Sequence, residues 1–123
     1  MHKVLVLGMS RSAKTKPTKA STLTRLRSWC EAVDLREWDF HNVIPGVVNG
    51  NHYSQVDVDA LTQVASGRHK VIALGTFVSS VCRRHKIDHL KIDHPSPRNR
   101  NLNSKDYELR MLQTLREYLY GTN

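Results

Sequence analysis

The sequence predicts an α/β fold: a parallel four-stranded sheet covered by helices on both faces. Two observations carry this. Short, continuous apolar runs of Val, Ile and Leu alternate with segments whose apolar residues recur every three or four positions. That alternation of strand and helix is the pattern of a parallel sheet with crossover helices. The length, 123 residues, suits one core and is too short for two, so residues 1–123 are expected to form a single domain.

Lys3 to Gly8 reads as a buried strand, a run of β-formers closed by Gly. Met9 to Ala20 is a long polar loop rich in Ser, Thr and Lys; loops of that length in compact domains are usually functional or disordered. Ser21-Thr22 opens a helix whose core stripe is Leu23, Leu26, Trp29, Cys30 and Val33. Trp38 to Pro45 reads as the second strand, stopped by Pro45-Gly46, and Val47 to Gln55 as a polar loop. Val56 to Ser66 is a short helix ended by Gly67, with Val58, Leu61, Val64 and Ala65 inward. Lys70 to Gly75 is the third strand. Thr76 to His85 is a helix with Phe77, Val78, Val81 and Cys82 inward, and Arg83, Arg84 and Lys86 complement its dipole. Leu90 to Ile92 is the fourth strand. Asn103-Ser104 caps a last helix with Tyr107, Met111, Leu112, Leu115, Tyr118 and Leu119 on its apolar face.

The formal net charge is +8 with His neutral. A surplus of that size points to a polyanionic partner, and nucleic acid is the expected one. Cys30 and Cys82 stand far apart in apolar helical contexts, which suits buried free thiols and a reducing compartment. No run is apolar and long enough to cross a bilayer, and Met1-His2-Lys3-Val4 lacks a signal-peptide pattern. A cytoplasmic protein with no membrane partner is expected. There is no Gly-x-Gly-x-x-Gly, no phosphate-binding loop, and no histidine pair at metal-ligand spacing on one helix face, so no cofactor or metal is expected. His2, His52, His69, His85 and His89 read as surface residues.

Ligands of such sheets bind beyond the carboxyl ends of the strands, where strand order reverses. The conspicuous polar stretches fall at those ends: Gly8 to Ser12, the run after Asn42, Gly75-Thr76, and His94 to Arg100. The last is His94-Pro95-Ser96-Pro97-Arg98-Asn99-Arg100. Its two prolines fix φ, remove two donors and push the preceding residues out of the α region. His94 therefore sits on a stiff loop beside cationic residues, suited to meet an anion.

This stretch resembles the His-Pro-Ser-Pro motif of the uracil-DNA glycosylase superfamily. Three further segments match that family's order. Val4-Leu5-Val6-Leu7-Gly8 with Met9-Ser10-Arg11-Ser12 resembles the first strand and water-positioning loop. Trp38 to Pro45 is similar to the strand whose Asn reads the base edge, here Asn42. Val71 to Gly75 resembles the Leu-Gly strand before the third helix, and Arg98 to Asn103 the extension of small, phage-encoded members. The resemblance implies a three-layer α/β/α sandwich that cleaves the N-glycosidic bond of uracil, or a uracil-like base, in DNA. His94 would donate to the departing base, and Ser10 is the nearest polar group for the water. Gly8, Met9, Asn42, Ser96 and Arg98 would surround the base, with Arg98 also wedging into the stack. Arg11, Lys14, Lys16, Lys19, Arg98, Asn99 and Arg100 would hold DNA phosphates. A host nuclease acting on the abasic product is the implied protein partner.

The chain departs from the family in two places. Met9-Ser10-Arg11 offers no carboxylate to position water, and no aromatic stands between Met9 and Ser28 to stack on the base. Trp29, Phe40, Tyr53 and Phe77 are the substitutes the sequence offers, with no means of choosing among them. Two alternatives stay open: a DNA-binding module of the same fold without chemistry, and an enzyme that processes another base or nucleotide.

Overall fold

The computed structural model describes residues 2–10, 22–46, 52–96 and 99–121. Within them the chain runs β1 (Val4–Gly8), α1 (Thr22–Ala32), β2 (Asp39–Asn42), α2 (Val58–Ala65), β3 (Lys70–Leu74), α3 (Gly75–Arg84), β4 (Leu90–Ile92) and α4 (Lys105–Tyr120). Short 3-10 turns occupy Tyr53–Gln55 and Arg100–Asn103. All strand pairs are parallel, in the order β2-β1-β3-β4. The chain steps outward from β1 to β2, then returns past β1 to β3, so the order reverses between β1 and β3.

Alternation along the central strands divides the core in two. Val6, Ile72, Leu74 and Ile92 pack with Leu26, Trp29, Cys30 and Val33 of the α1 region and Met111 and Leu115 of α4. Leu5, Leu7, Val71 and Ala73 pack with Leu61 of α2 and Val78, Val81 and Cys82 of α3. The result is a three-layer α/β/α arrangement with two helices on each face. Each fully buried Leu, Val or Ile stabilises it by about 1.5–3 kcal/mol, so both layers are held by the same force. Cys30 and Cys82 lie in opposite layers, both reduced and buried, and burial pushes each thiol up to about 11.

Several boundaries differ from the sequence expectation. Leu23, assigned to the core stripe, is 45% exposed. It lies in the first turn of α1 and is absent from the core layer that holds Leu26 and Trp29. The regular part of β2 is shorter than Trp38 to Pro45. Beyond it Val43 N and Ile44 N donate to Gly8 O and Met9 O at 2.9 Å, so β2 and β1 stay joined past the regular ladder. α2 begins at Val58 because Asp57 caps it, its carboxylate accepting from Ala60 N at 3.0 Å. Gly75 opens α3 with φ +89 instead of closing β3. His85 and His89, read as surface residues, are half-buried and engaged. His85 pairs with the Tyr53 hydroxyl, and His89 bonds Ser79 Oγ and Ile87 O, each at 2.8 Å. The expected cation at the end of α3 is present, and Arg84 also lies 3.8 Å over the Tyr53 ring.

At the amino edge Arg68 ties three segments together. It donates to Asp39, to His2 O at 2.7 Å and to Val64 O at 2.9 Å, with only 5% of its side chain exposed. That guanidinium holds the Asp39 carboxyl below the usual carboxylate range.

Two half-buried imidazoles make the fold sensitive to mild acid. Burial lowers His41 and His94 below the ordinary 6.5; for His41 the nearby Asp57 partly offsets this. The unfolded chain therefore binds protons first as pH falls, and stability drops in the window just below 6.5. Asp39 is lowered too, but for a carboxyl this favours the charged form, so its contribution is lost only as pH falls below the ordinary carboxylate value. We expect the melting temperature to fall between pH 7 and pH 5.5, and the fall to be shallower in His41→Gln. Thermal melts across that range check this, and an identical slope in the variant would refute it.

Candidate active site at the carboxyl edge

The strand-order reversal leaves an opening at the carboxyl ends of β1 and β3, and four short segments meet there. Gly8 ends β1 in register with Asn42 of β2. Gly75 follows β3 directly, and His94 follows β4. From β2 to β4 are three strand spacings, about 14 Å, spanned by the ends of β1 and β3.

On the β2 side, Gly8 leaves room for two neighbouring side chains. A Cβ there would lie 2.5 Å from Phe40 Cζ and 2.7 Å from Asn42 Oδ1. Real Cβ contacts are never so close, so the ring and the amide occupy space that only glycine leaves free. Phe40 and Asn42 are two residues apart and share a face of the strand. Asn42 is half-buried, and its amide has no hydrogen-bond partner among the described residues. Phe40 is 43% exposed. Of the four aromatics left open by the sequence, Trp29 is in the core, Tyr53 is engaged by His85 and Arg84, and Phe77 packs against the second core layer. Phe40 alone of the four is described beside Asn42.

On the β4 side, His94 rests against α3. A Cβ at Gly75 would lie 3.3 Å from His94 Cβ, and the positive φ there already favours glycine. Leu74, at the N-cap of α3, gives no side-chain cap, so the positive end of that helix dipole stands beside His94 without a capping acceptor. Burial keeps His94 below the ordinary imidazole value, hence neutral at pH 7 with one N–H to donate. Its ring makes no hydrogen bond among the described residues.

The loop carrying His94 is braced from below. Asp93 accepts from Tyr107 OH at 2.8 Å and from Asn99 Nδ2 at 2.9 Å. Asn99 Nδ2 also reaches His94 O at 3.4 Å, and Asn99 Oδ1 accepts from Asn101 N at 3.1 Å. Ser96 N donates to His94 O at 2.8 Å, and Asn99 N to Ser96 O at 3.0 Å. Asn99, expected at a phosphate, has its side-chain amide bonded within the loop. Arg100 remains exposed in the following 3-10 turn.

Of the other expected site residues, Met9 packs partly against the second core layer and its carbonyl accepts from Ile44 N. Ser10 is half-buried with no hydrogen bond among the described residues. Arg11, Lys14, Lys16, Lys19 and Arg98 lie outside the described residues. Sequence reading missed Asp93 and Tyr107 as positioning residues. The helical spacing assigned Tyr107 to an apolar face, and nothing local marks where a phenol oxygen will end. Compared with protein-family models, curated proteins and solved structures, the chain gives no match.

The brace makes a measurable claim. A hydrogen bond to a charged group contributes about 1.5–3 kcal/mol when buried, and less at this half-buried carboxylate. Tyr107→Phe should cost about 1–2 kcal/mol in denaturant unfolding and speed amide exchange at Ser96. Unchanged protection at Ser96 would mean that Asp93 does not hold the loop.

Proposed function

We propose that this chain is a small DNA glycosylase of the uracil-DNA glycosylase type, hydrolysing the N-glycosidic bond of uracil or a similar base. The observation that carries the reading is the pairing, across one sheet edge, of an open amide at Asn42 with a neutral, braced His94. A side-chain amide offers both a donor and an acceptor, matching the edge of uracil. Bond cleavage passes through an oxocarbenium-like sugar and releases the base as an anion. A donor aimed at that anion contributes roughly 3–4 kcal/mol in comparable sites. His94 is suited to this as a neutral imidazole, its N–H directed to the base oxygen and its loop fixed by Asp93. The Phe40 face supplies a stacking surface for an extruded base. Ser10 is the group proposed to hold the attacking water. Arg98 is proposed to fill the gap in the duplex. Lys14, Lys16, Lys19 and Arg11 follow β1 in the chain and are proposed to contact phosphates. The abasic product would pass to a nuclease.

One observation favours a second reading. Neither Met9 nor Ser10 supplies a carboxylate at the end of β1, so a DNA-binding module of the same fold without chemistry fits the same edge.

Single-turnover cleavage of end-labelled uracil-containing DNA, followed by alkali, separates the two. The full chain should cleave; His94→Ala should lose about two orders of magnitude or more in rate while still binding DNA. Asn42→Asp should lose uracil or shift preference toward cytosine, because an acceptor-only group suits the cytosine amine. No cleavage by the full chain, with DNA binding intact, would select the binding module.

Binding itself gives a further prediction that needs no chemistry. Each phosphate contact contributes a slope of about 0.9 in log K against log salt on duplex DNA. Lys14→Ala combined with Lys16→Ala should weaken binding to every DNA sequence and lower the slope by roughly two. A slope equal to that of the unsubstituted chain would remove these lysines from the interface.

A further inference from the structure

A groove of about 350 Å3 runs between β4 and α4, away from Gly8 and Asn42. One wall is Lys91 through Asp93, and the other is Tyr107, Arg110, Met111 and Thr114. Lys91 and Ile92 are consecutive in β4, so their side chains point to opposite faces, and Asp93 directly follows the strand. Consecutive lining is what the edge of a strand produces. β4 is the last strand of the sheet, paired only with β3, and nothing among the described residues bonds its outer edge. In a ladder bonded on one side, some N–H and C=O groups necessarily face outward. The facing residues of α4 are spaced i, i+3, i+4 and i+7, one continuous stripe. The groove is thus a slot between a free strand edge and a helix wall. Its volume lies at the small end of ligand clefts, which run from about 300 to 1,000 Å3, and suits a segment of a few residues.

The charges in the slot select its occupant. Arg110 and Lys91 have no acid within ion-pair distance among the described residues. The one carboxylate in the wall, Asp93, is already occupied by Tyr107 and Asn99. Met111 supplies an apolar floor, and the chain as a whole carries +8. A second copy of the chain would bring the same positive charge to the same edge. We infer that the β4–α4 groove is a strand-addition site for an extended, acidic segment of a partner protein. The segment's main chain pairs with the outer edge of β4, and one carboxylate side chain meets Arg110 while an apolar neighbour covers Met111. The brevity of β4 and the helix wall restrict pairing to a short segment, which keeps the edge from indiscriminate association. The site does not depend on the glycosylase reading.

The test uses the full chain, labelled for amide NMR, and fluorescent heptapeptides that alternate Val with Glu, or Val with Lys. The acidic peptide should bind saturably, shifting the amides of residues 90–93 and 107–114. Placing Pro at its centre removes a main-chain donor and should weaken binding roughly fivefold or more. Arg110→Glu, an exposed position, should weaken the acidic peptide by a similar factor and admit the lysine peptide. Equal binding of the proline peptide, or shifts confined to other residues, would overturn strand addition. A short oligonucleotide that shifts these amides when the acidic peptide does not would overturn the peptide assignment. So would sedimentation showing that the free chain dimerises through them.

Discussion

The structure depends on β1 being hydrogen-bonded on both sides by parallel strands. Parallel neighbours need crossover helices, and crossovers of one hand place helices on both faces when the chain turns first one way and then the other. β1 is the strand from which the chain departs in one direction and past which it returns in the other. Its flanks are covered by β2 and β3, its faces by two core layers. At its carboxyl end Gly8 keeps a ladder partner in β2 but has none in β3. The loops and helix starts that follow the strands gather around that end, and so do Gly8, Asn42 and Gly75.

Two glycines and one carboxylate shape that opening. Gly8 gives up a side chain so that Phe40 and Asn42 can lie across the end of β1. Gly75 lets β3 pass into α3 without an intervening loop and brings the start of that helix against His94. Asp93 spends both oxygens within the fold, on Tyr107 and Asn99, and so fixes the residue next to it. The side chains of Asn42 and His94 have no hydrogen-bond partner among the described residues, while Asp93 beside His94 is engaged twice. Such an arrangement is costly only where it is buried, and Asn42 and His94 are half-buried.

The same strand set treats its two edges differently. The β2 edge carries Phe40 and Asn42 at one end and the Asp39–Arg68 pair at the other. The β4 edge is shorter and faces a helix stripe across a groove. These surfaces follow from one strand order, which puts β2 and β4 at opposite ends of the sheet.

The number, type and order of the elements were legible in the sequence, because apolar period is a local property. Val4 to Leu7 and Val71 to Leu74 are apolar without interruption because both their faces are covered. Leu26, Trp29 and Val33, or Met111 and Leu115, repeat at helical spacing because one face is covered. The stiffness around His94 was legible too, since proline restricts φ wherever it stands. Strand order, and with it which residues become neighbours, was decided only by the tertiary structure. Nothing near Asn99 in the chain shows that its amide will bond Asp93, whose other oxygen is taken by Tyr107. Likewise Leu23 fits the helical stripe yet is exposed, and Phe40 became a neighbour of Gly8 only through the β1–β2 register. Period and propensity act over a few residues. Burial, partner choice and the space left by a missing Cβ are set by segments far apart in sequence, and they exist only once the sheet has formed.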